Sequence, residues 1–329
     1  MGVVFRGKRM AKVKLLVTRQ FPKAVLERAN RDYDCLFNQT SLGWSNDELI
    51  LASQNMQAIF CSSSDKFTDD IISKLSDTVK IIATFSVGYE HFDLNSAKAR
   101  GITLTNTPDV VTESTADTAI LLMLAAARRA REAFSMIVSD SWKGWTPTQL
   151  LGIQPRGRRL GILGMGRIGR AVAQRARSFG MEIHYHNRNK LSAELEDGAI
   201  YHAASAELFK ISDFLSINCE LTKETSKLLN QDTINLLPEN AIVVNTSRGG
   251  VIDDKALISA LKSGQVFAAG LDVFDGEPNI NPDYLSLKNV FLFPHIGSAT
   301  IDARNAMGFR ALDNIDSYFK SGEPKDKLV

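Results

Sequence analysis

An apolar run over 159–163 ends in Gly164-x-Gly166-x-x-Gly169, and a helical pattern begins at once. Ile168, Val172, Ala173, Ala176 and Phe179 recur at helical spacing until Gly180 stops them, and a second short strand is expected over 181–186. Strand, glycine turn, helix and strand in so short a span make the geometry of a dinucleotide-binding βαβ unit. Gly164 permits the tight turn, Gly166 lets the backbone approach a pyrophosphate, and Gly169 lets the helix close onto the sheet. The first turn of that helix, at Arg167 and Ile168, offers free N–H groups and a partial positive charge to phosphates. A bare glycine motif also fits an ordinary tight turn; the flanking elements are what favour a cofactor.

The rest of the chain reads as alternating strands and helices. Strands are expected over 13–17, 58–61, 80–84 and 102–105, with helices over 22–30 and 69–75. Residues 12–107 thus form a first α/β unit with a parallel sheet and helices on both faces. One long helix is expected over 113–134, apolar through Ala127 and basic at Arg128, Arg129 and Arg131, cations that suit the negative end of its dipole. Trp142 and Trp145 follow in a polar loop. Further strands are expected over 213–218, 241–245, 267–273 and 290–293, with a helix over 253–263 closed by Gly264 and a last helix over 298–319.

At 329 residues the chain has room for about two domains. A net charge of +2 gives no argument for a nucleic-acid surface. Cys35, Cys61 and Cys219 are widely spaced and the five histidines are scattered, so neither a disulfide framework nor a metal site is expected, and a reducing cytoplasm fits. The longest apolar run, 119–127, is less than half of a membrane span. Residues 1–11 carry only Val3-Val4-Phe5 as an apolar core, too short for a signal peptide, and read as a disordered leader or as sequence upstream of a start at Met10.

Three late strands end in polar residues: Arg248 follows the first, Glu277 the second and His295 the third. Open α/β sheets bind ligands at this carboxyl edge. An arginine grips a carboxylate through two parallel charge-assisted hydrogen bonds. An imidazole supplies the proton that a carbonyl oxygen needs as hydride reaches its carbon, and a neighbouring carboxylate favours the charged imidazole and fixes its orientation. Taken singly, each of the three reads as a surface or turn residue; their joint placement in one cofactor domain points to reduction of a 2-oxo acid.

These residues carry a resemblance. Leu163-Gly-Met-Gly-Arg-Ile-Gly169, Asn245-Thr-Ser-Arg-Gly-Gly250, Gly270-Leu-Asp-Val-Phe274 with Glu277-Pro278, Pro294-His-Ile-Gly-Ser-Ala-Thr300 and Ser86-Val-Gly-Tyr-Glu-His-Phe-Asp93 together resemble the D-isomer-specific 2-hydroxyacid dehydrogenases, nearest to glyoxylate/hydroxypyruvate reductases that also take 2-ketogluconate. The resemblance implies an α/β fold of two doubly wound parallel-sheet domains. A Rossmann NAD(P)-binding domain, 108–294, is inserted in a discontinuous flavodoxin-like substrate domain, 12–107 with 295–329. It implies a catalytic triad of Arg248, Glu277 and His295. Val87 and Gly88 are implied to hold the substrate carboxylate through their backbone N–H groups. Asp272 is implied to orient the nicotinamide, with Thr112 near the same ring and Asn187, Cys219 and Thr246 also lining the cofactor. It further implies a homodimer in which Trp145 covers the partner's site.

The second strand of the βαβ unit ends in His186-Asn-Arg-Asn-Lys190, where an NAD-binding unit usually carries Asp or Glu for the ribose 2′-OH. Arg188 can instead pair with a 2′-phosphate, so NADPH is expected over NADH, unless Arg188 and Lys190 merely face solvent. Glu220 stands after Cys219 where the family often has proline. The expected function is NADPH-dependent reduction of small 2-oxo acids, glyoxylate and hydroxypyruvate first, to D-2-hydroxy acids. Other readings are reduction of 2-ketogluconate or another 2-oxo acid and, in a different class, a cofactor-sensing binding protein, since corepressors resemble the same family.

Overall fold

The computed structural model describes residues 11–40 and 42–329. The leader expected over 1–11 lies, except for Ala11, outside these residues. The chain divides into two compact units: one runs to Val111 and resumes at Ala299–Val329, and the other is Thr112–Ser298.

The first unit holds β1 (Lys14–Val17), β2 (Asp34–Phe37), β3 (Ala58–Ser62), β4 (Ile81–Phe85) and β5 (Thr103–Thr105), all parallel, in the order β2-β1-β3-β4-β5. This is the flavodoxin-like order, with its switch point between β1 and β3. Its central strands are apolar without alternation because both faces are covered. Leu15, Val17, Phe60, Ile81 and Ala83 pack toward helices Lys23–Asp32 and Ile301–Ser321. Leu16, Ile59 and Ile82 pack on the opposite face toward Asp69–Lys74 and Leu94–Ala99. Each fully buried Leu or Ile is worth about 1.5–3 kcal/mol over its exposed state.

The second unit holds β6 (Arg159–Leu163), β7 (Glu182–His186), β8 (Ile200–Tyr201), β9 (Phe214–Ile217), β10 (Ala241–Asn245), β11 (Val266–Leu271) and β12 (Val290–Leu292), parallel in the order β12-β11-β10-β9-β6-β7-β8. Counted from β6 this is the Rossmann order with one strand added, and its switch point falls between β6 and β9. Alternate residues again divide between two cores, Leu160, Ile162 and Val244 on one face and Leu163, Ile217 and Val243 on the other.

Three expectations change. The helix over 113–134 is two helices, Thr112–Ala127 and Ala130–Val138. Arg129 turns the chain through a left-handed φ of 53°, and the Ala127 carbonyl accepts from Ile153 N–H (2.9 Å) instead of continuing the helix. Arg131 is drawn away from a helix-end role: its guanidinium donates to the carbonyls of Leu285, Leu287 and Val290 at 2.7, 2.7 and 3.2 Å. The last helix starts at Ile301 rather than 298 because the Thr300 hydroxyl caps Ala303 N–H at 3.1 Å; Gly322, with φ 77°, ends it. Two strands lie outside the expected set, β2, a half-exposed edge strand, and the two-residue β8.

Candidate active site

The glycine loop lies at the switch point of the seven-stranded sheet. Gly164 has φ +95°, and a Cβ there would sit 2.6 Å from Cys219 N, so the turn closes against the end of β9. Gly169 is packed as tightly, 2.4 Å from the Gly164 carbonyl oxygen. Gly166 differs: a Cβ there would meet nothing within 4 Å. Gly166 is also the N-cap of helix Arg167–Ser178, which has no side-chain cap and no acidic residue in its first turn. The Thr246 hydroxyl, at the end of β10, is buried without a partner among the described residues, as is the side-chain oxygen Oδ1 of Asn218 at the end of β9. Open backbone at a helix N-terminus and unpaired polar atoms on the same edge fit a dinucleotide, whose phosphates and ribose hydroxyls would supply the missing partners.

Asn187 is already engaged, its Oδ1 accepting from Met165 N–H at 2.6 Å, so it braces the glycine loop. Arg188 is exposed, and its charge reaches Glu224, whose carboxyl is held below its usual range first by the Thr222 hydroxyl and more weakly by Arg188. Lys190 lies 3.8 Å from Glu196. Burial pushes the Cys219 thiol up to about 11, which keeps it neutral. Thr112 is the first residue of its helix and is half-buried.

Arg248, Glu277 and His295 converge through the backbone. Asn245, fully buried at the end of β10, accepts from Ser247 N–H and Oγ at 3.0 and 2.9 Å and donates to the Arg248 carbonyl at 3.0 Å, folding the loop into an Asx turn. Gly249 then packs so closely that a Cβ would lie 1.9 Å from the Phe274 carbonyl carbon. This brings the Arg248 loop against the segment that carries Glu277, and the Arg248 charge acts on that carboxylate.

Glu277 uses both oxygens. Oε1 accepts from Phe274 N–H and Oε2 meets His295 Nδ1, each at 2.7 Å. Burial works to raise this carboxyl, but the bonds from His295 and Phe274 and the nearby cations outweigh it, and Glu277 lies below its ordinary range. His295 has a left-handed φ of 55°, and its N–H donates to the Asp272 carbonyl at 2.8 Å. With Nδ1 committed to Glu277, the other ring nitrogen is left for chemistry.

Asp272 is 1% exposed, and its two oxygens accept from Ile296 and Gly297 N–H at 2.7 Å each. Burial raises its carboxyl and these two bonds pull the other way, with burial prevailing. Beside the implied nicotinamide role, Asp272 is therefore the latch of the His295 loop. Neither this latch nor the part played by Asn245 and Gly249 was read from the sequence. The Asn-x-Ser spacing was the one available signal for the Asx turn.

Val87 and Gly88 belong to the first unit, just beyond β4, and their N–H groups make no hydrogen bond among the described residues. Trp145 is 79% exposed, in the loop after a helix with no buried residue, and has no hydrogen-bond or ring partner among the described residues. Among the described residues no group of His, Cys, Asp or Glu could hold a metal, and no helix is long and apolar enough to cross a membrane.

Residues 120–297 match the family described as D-isomer specific 2-hydroxyacid dehydrogenase, NAD binding domain. The chain is 41% identical over 312 residues to a glycerate dehydrogenase of Hyphomicrobium methylovorum, covering 94% of this chain and 97% of that one. It is 42% identical over 323 residues to a glyoxylate reductase of Thermococcus litoralis, covering 97% of each. Among solved structures, the NADPH-dependent glyoxylate/hydroxypyruvate reductase of Sinorhizobium meliloti in complex with NADP and malonate superposes with a TM-score of 0.86 at 33% identity over 97% of both chains. Fold and relatives together define an NAD(P)-dependent oxidoreductase. The chain belongs to the D-isomer specific 2-hydroxyacid dehydrogenase family.

Proposed function

We propose that this enzyme reduces small 2-oxo acids, glyoxylate and hydroxypyruvate first, to D-2-hydroxy acids, with NADPH preferred and His295 as proton donor. The observation that carries the reading is the 2.7 Å contact of His295 Nδ1 with Glu277 Oε2, at a sheet edge that also presents Arg248. Bound at Gly164–Gly169, the nicotinamide cofactor would supply the hydride. Arg248 pairs with the substrate carboxylate. His295, oriented through Nδ1, presents its other nitrogen to the carbonyl oxygen and gives it a proton. Glu277 fixes the ring's orientation through Nδ1 and balances the charge of the protonated imidazole. The N–H groups of Val87 and Gly88 take the carboxylate as well.

In this reading Arg167, Ile168 and Gly169 face the phosphates, and Arg188 takes the 2′-phosphate in competition with Glu224. Thr112, Asn187, Cys219, Thr246 and Asp272 complete the cofactor wall. Residues 108–294 serve as the cofactor domain and 12–107 with 295–329 as the substrate domain. A homodimer with Trp145 over the partner's site, and a cytoplasmic setting that suits three free cysteines, belong to the same proposal.

The test is initial rates with glyoxylate, hydroxypyruvate, pyruvate and 2-ketogluconate, each with NADPH and NADH. Fast reduction of the first two with NADPH is expected, and His295→Gln is expected to lower kcat by about 10²–10⁴-fold. A clear preference for NADH would refute the Arg188 assignment alone. Cofactor binding without turnover of any acid would favour a cofactor-sensing binding protein.

A further inference from the structure

The Val87–Gly88 loop is held from behind. Asn106, just past β5, donates Nδ2 to the Val87 carbonyl at 2.7 Å, and Thr107 N–H donates to the Ser86 carbonyl at 2.9 Å. Asn106 is itself fixed through both of its backbone groups. Its N–H donates to the Asp326 carbonyl at 3.3 Å, and its carbonyl accepts from Asn314 Nδ2 at 3.1 Å. Asp326 and Asn314 form a buried knot. The Asp326 side chain is 5% exposed and accepts from Arg310 Nη2 at 2.8 Å and Asn314 Nδ2 at 3.0 Å; Asp326 N–H returns to Asn314 Oδ1 at 3.2 Å. Beyond the knot, Leu328 N–H donates to the Leu104 carbonyl at 2.8 Å, which lays residues 326–328 along β5.

The Val87 carbonyl and the Gly88 N–H belong to one planar trans peptide, so they point in opposite directions. Whatever holds the carbonyl aims the N–H. An asparagine that bonded only within its own turn would not do this; Asn106 reaches across 19 residues to the loop it fixes. We infer that Asn106, braced by Asp326, Arg310 and Asn314, is a positioning residue that aims the Gly88 N–H at the substrate carboxylate. It touches no reacting atom and acts through the Val87–Gly88 peptide. The inference rests on the reading that these amides receive the carboxylate.

The test compares Asn106→Ala, Asn106→Asp and Asp326→Asn with the wild type in the full chain. Asn106→Asp keeps the shape but turns a donor into an acceptor facing the Val87 carbonyl. For both Asn106 variants the KM for glyoxylate is expected to rise about tenfold, the upper range for one neutral hydrogen bond, with kcat within about twofold. NADPH affinity should be unchanged. Asp326→Asn should give the same split at about threefold, as a perturbation one step removed. Amide hydrogen exchange at Thr107, whose N–H the Ser86 carbonyl accepts, should quicken in all three without spreading through β4 and β5. An unchanged KM with unchanged exchange at Thr107 overturns the inference and leaves the proposed function standing, as does an equal fall in kcat and kcat/KM. If the wild type reduces no 2-oxo acid, the proposed function fails and exchange alone decides: quickening confined to Thr107 supports the positioning role, and none overturns it. Should the Asn106 variants not fold, Arg310→Lys carries the same two readouts.

Discussion

At the carboxyl edge of the seven-stranded sheet close backbone contacts reinforce the side-chain ties of Asn245 and Asp272: Gly249 lies flat on Phe274–Asp275, Gly164 on Cys219, and the His295 N–H sits on the Asp272 carbonyl. At the same edge of the five-stranded sheet the loops are pinned by side chains. Asp65, 7% exposed, accepts from the Thr18 hydroxyl at 2.7 Å, the Ser62 N–H at 2.9 Å and Arg19 Nε at 3.1 Å, which ties the ends of β1 and β3 together. Asn106 does the like for the loop after β4. Backbone contacts leave no room for adjustment, because a substitution at the contact must move the chain. Side-chain ties can be lengthened, swapped or removed with the strands left in place. The groups proposed for chemistry thus lie on the unyielding edge and the loops proposed to meet the substrate on the adjustable one.

The largest effect should come from breaking the backbone side. Gly249→Ala forces a Cβ into the Phe274–Asp275 peptide and displaces the Arg248 loop. A shift of order 1 Å costs about 10²-fold, so kcat/KM should fall at least that far while cofactor affinity changes little. Steady-state kinetics with cofactor titration check this; an unaltered kcat/KM would show that Arg248 is placed by something other than this contact. On the other edge, Asp65→Asn should lower stability by about 3 kcal/mol, since a nearly buried charge pair with Arg19 is broken, yet leave kcat within about threefold. Urea unfolding beside kinetics reads both, and a collapse of kcat would erase the distinction between the edges.

The smallest effect is in pH. Glu277 is lowered in the folded chain relative to its ordinary 4.5. The unfolded chain then takes up its proton first on acidification. Its contribution to stability is therefore complete above the unfolded value and is lost as pH falls through the lower folded value. Unfolding curves between about pH 3 and 6 should slope less in Glu277→Gln than in the wild type. Equal slopes would mean that the His295–Glu277 contact adds nothing to the folded state.

The glycine loop and the alternation of strand and helix were legible in the sequence because their signals are local: a fixed glycine spacing, and apolar runs bounded by polar turns. The three polar strand ends were legible for the same reason, each lying directly after a buried run. The break at Arg129 was not, since the helical pattern continues through it and the competing donor, Ile153 N–H, lies 26 positions beyond the carbonyl that it captures. The prop behind Val87 was less legible still. Asn314 meets Asn106 across 208 positions, and neither residue stands out in composition or spacing. Asp272 reads from sequence as one more polar residue at a strand end; that its carboxylate holds two amides of another loop is a fact of packing alone.

The left-handed backbone at His295 bears on how this position can change over generations. Asparagine, aspartate and glycine accept that conformation most readily, and histidine is among the few larger side chains enriched there. In a library randomised at position 295, selection for folding and selection for turnover would thus favour different residues, the first Asn and Gly, the second His. A lineage that ceased to need the reaction would drift first to asparagine, with its loop intact and its proposed proton donor gone. An asparagine at this position in an otherwise matching sequence would mark a protein that kept the fold and gave up the chemistry.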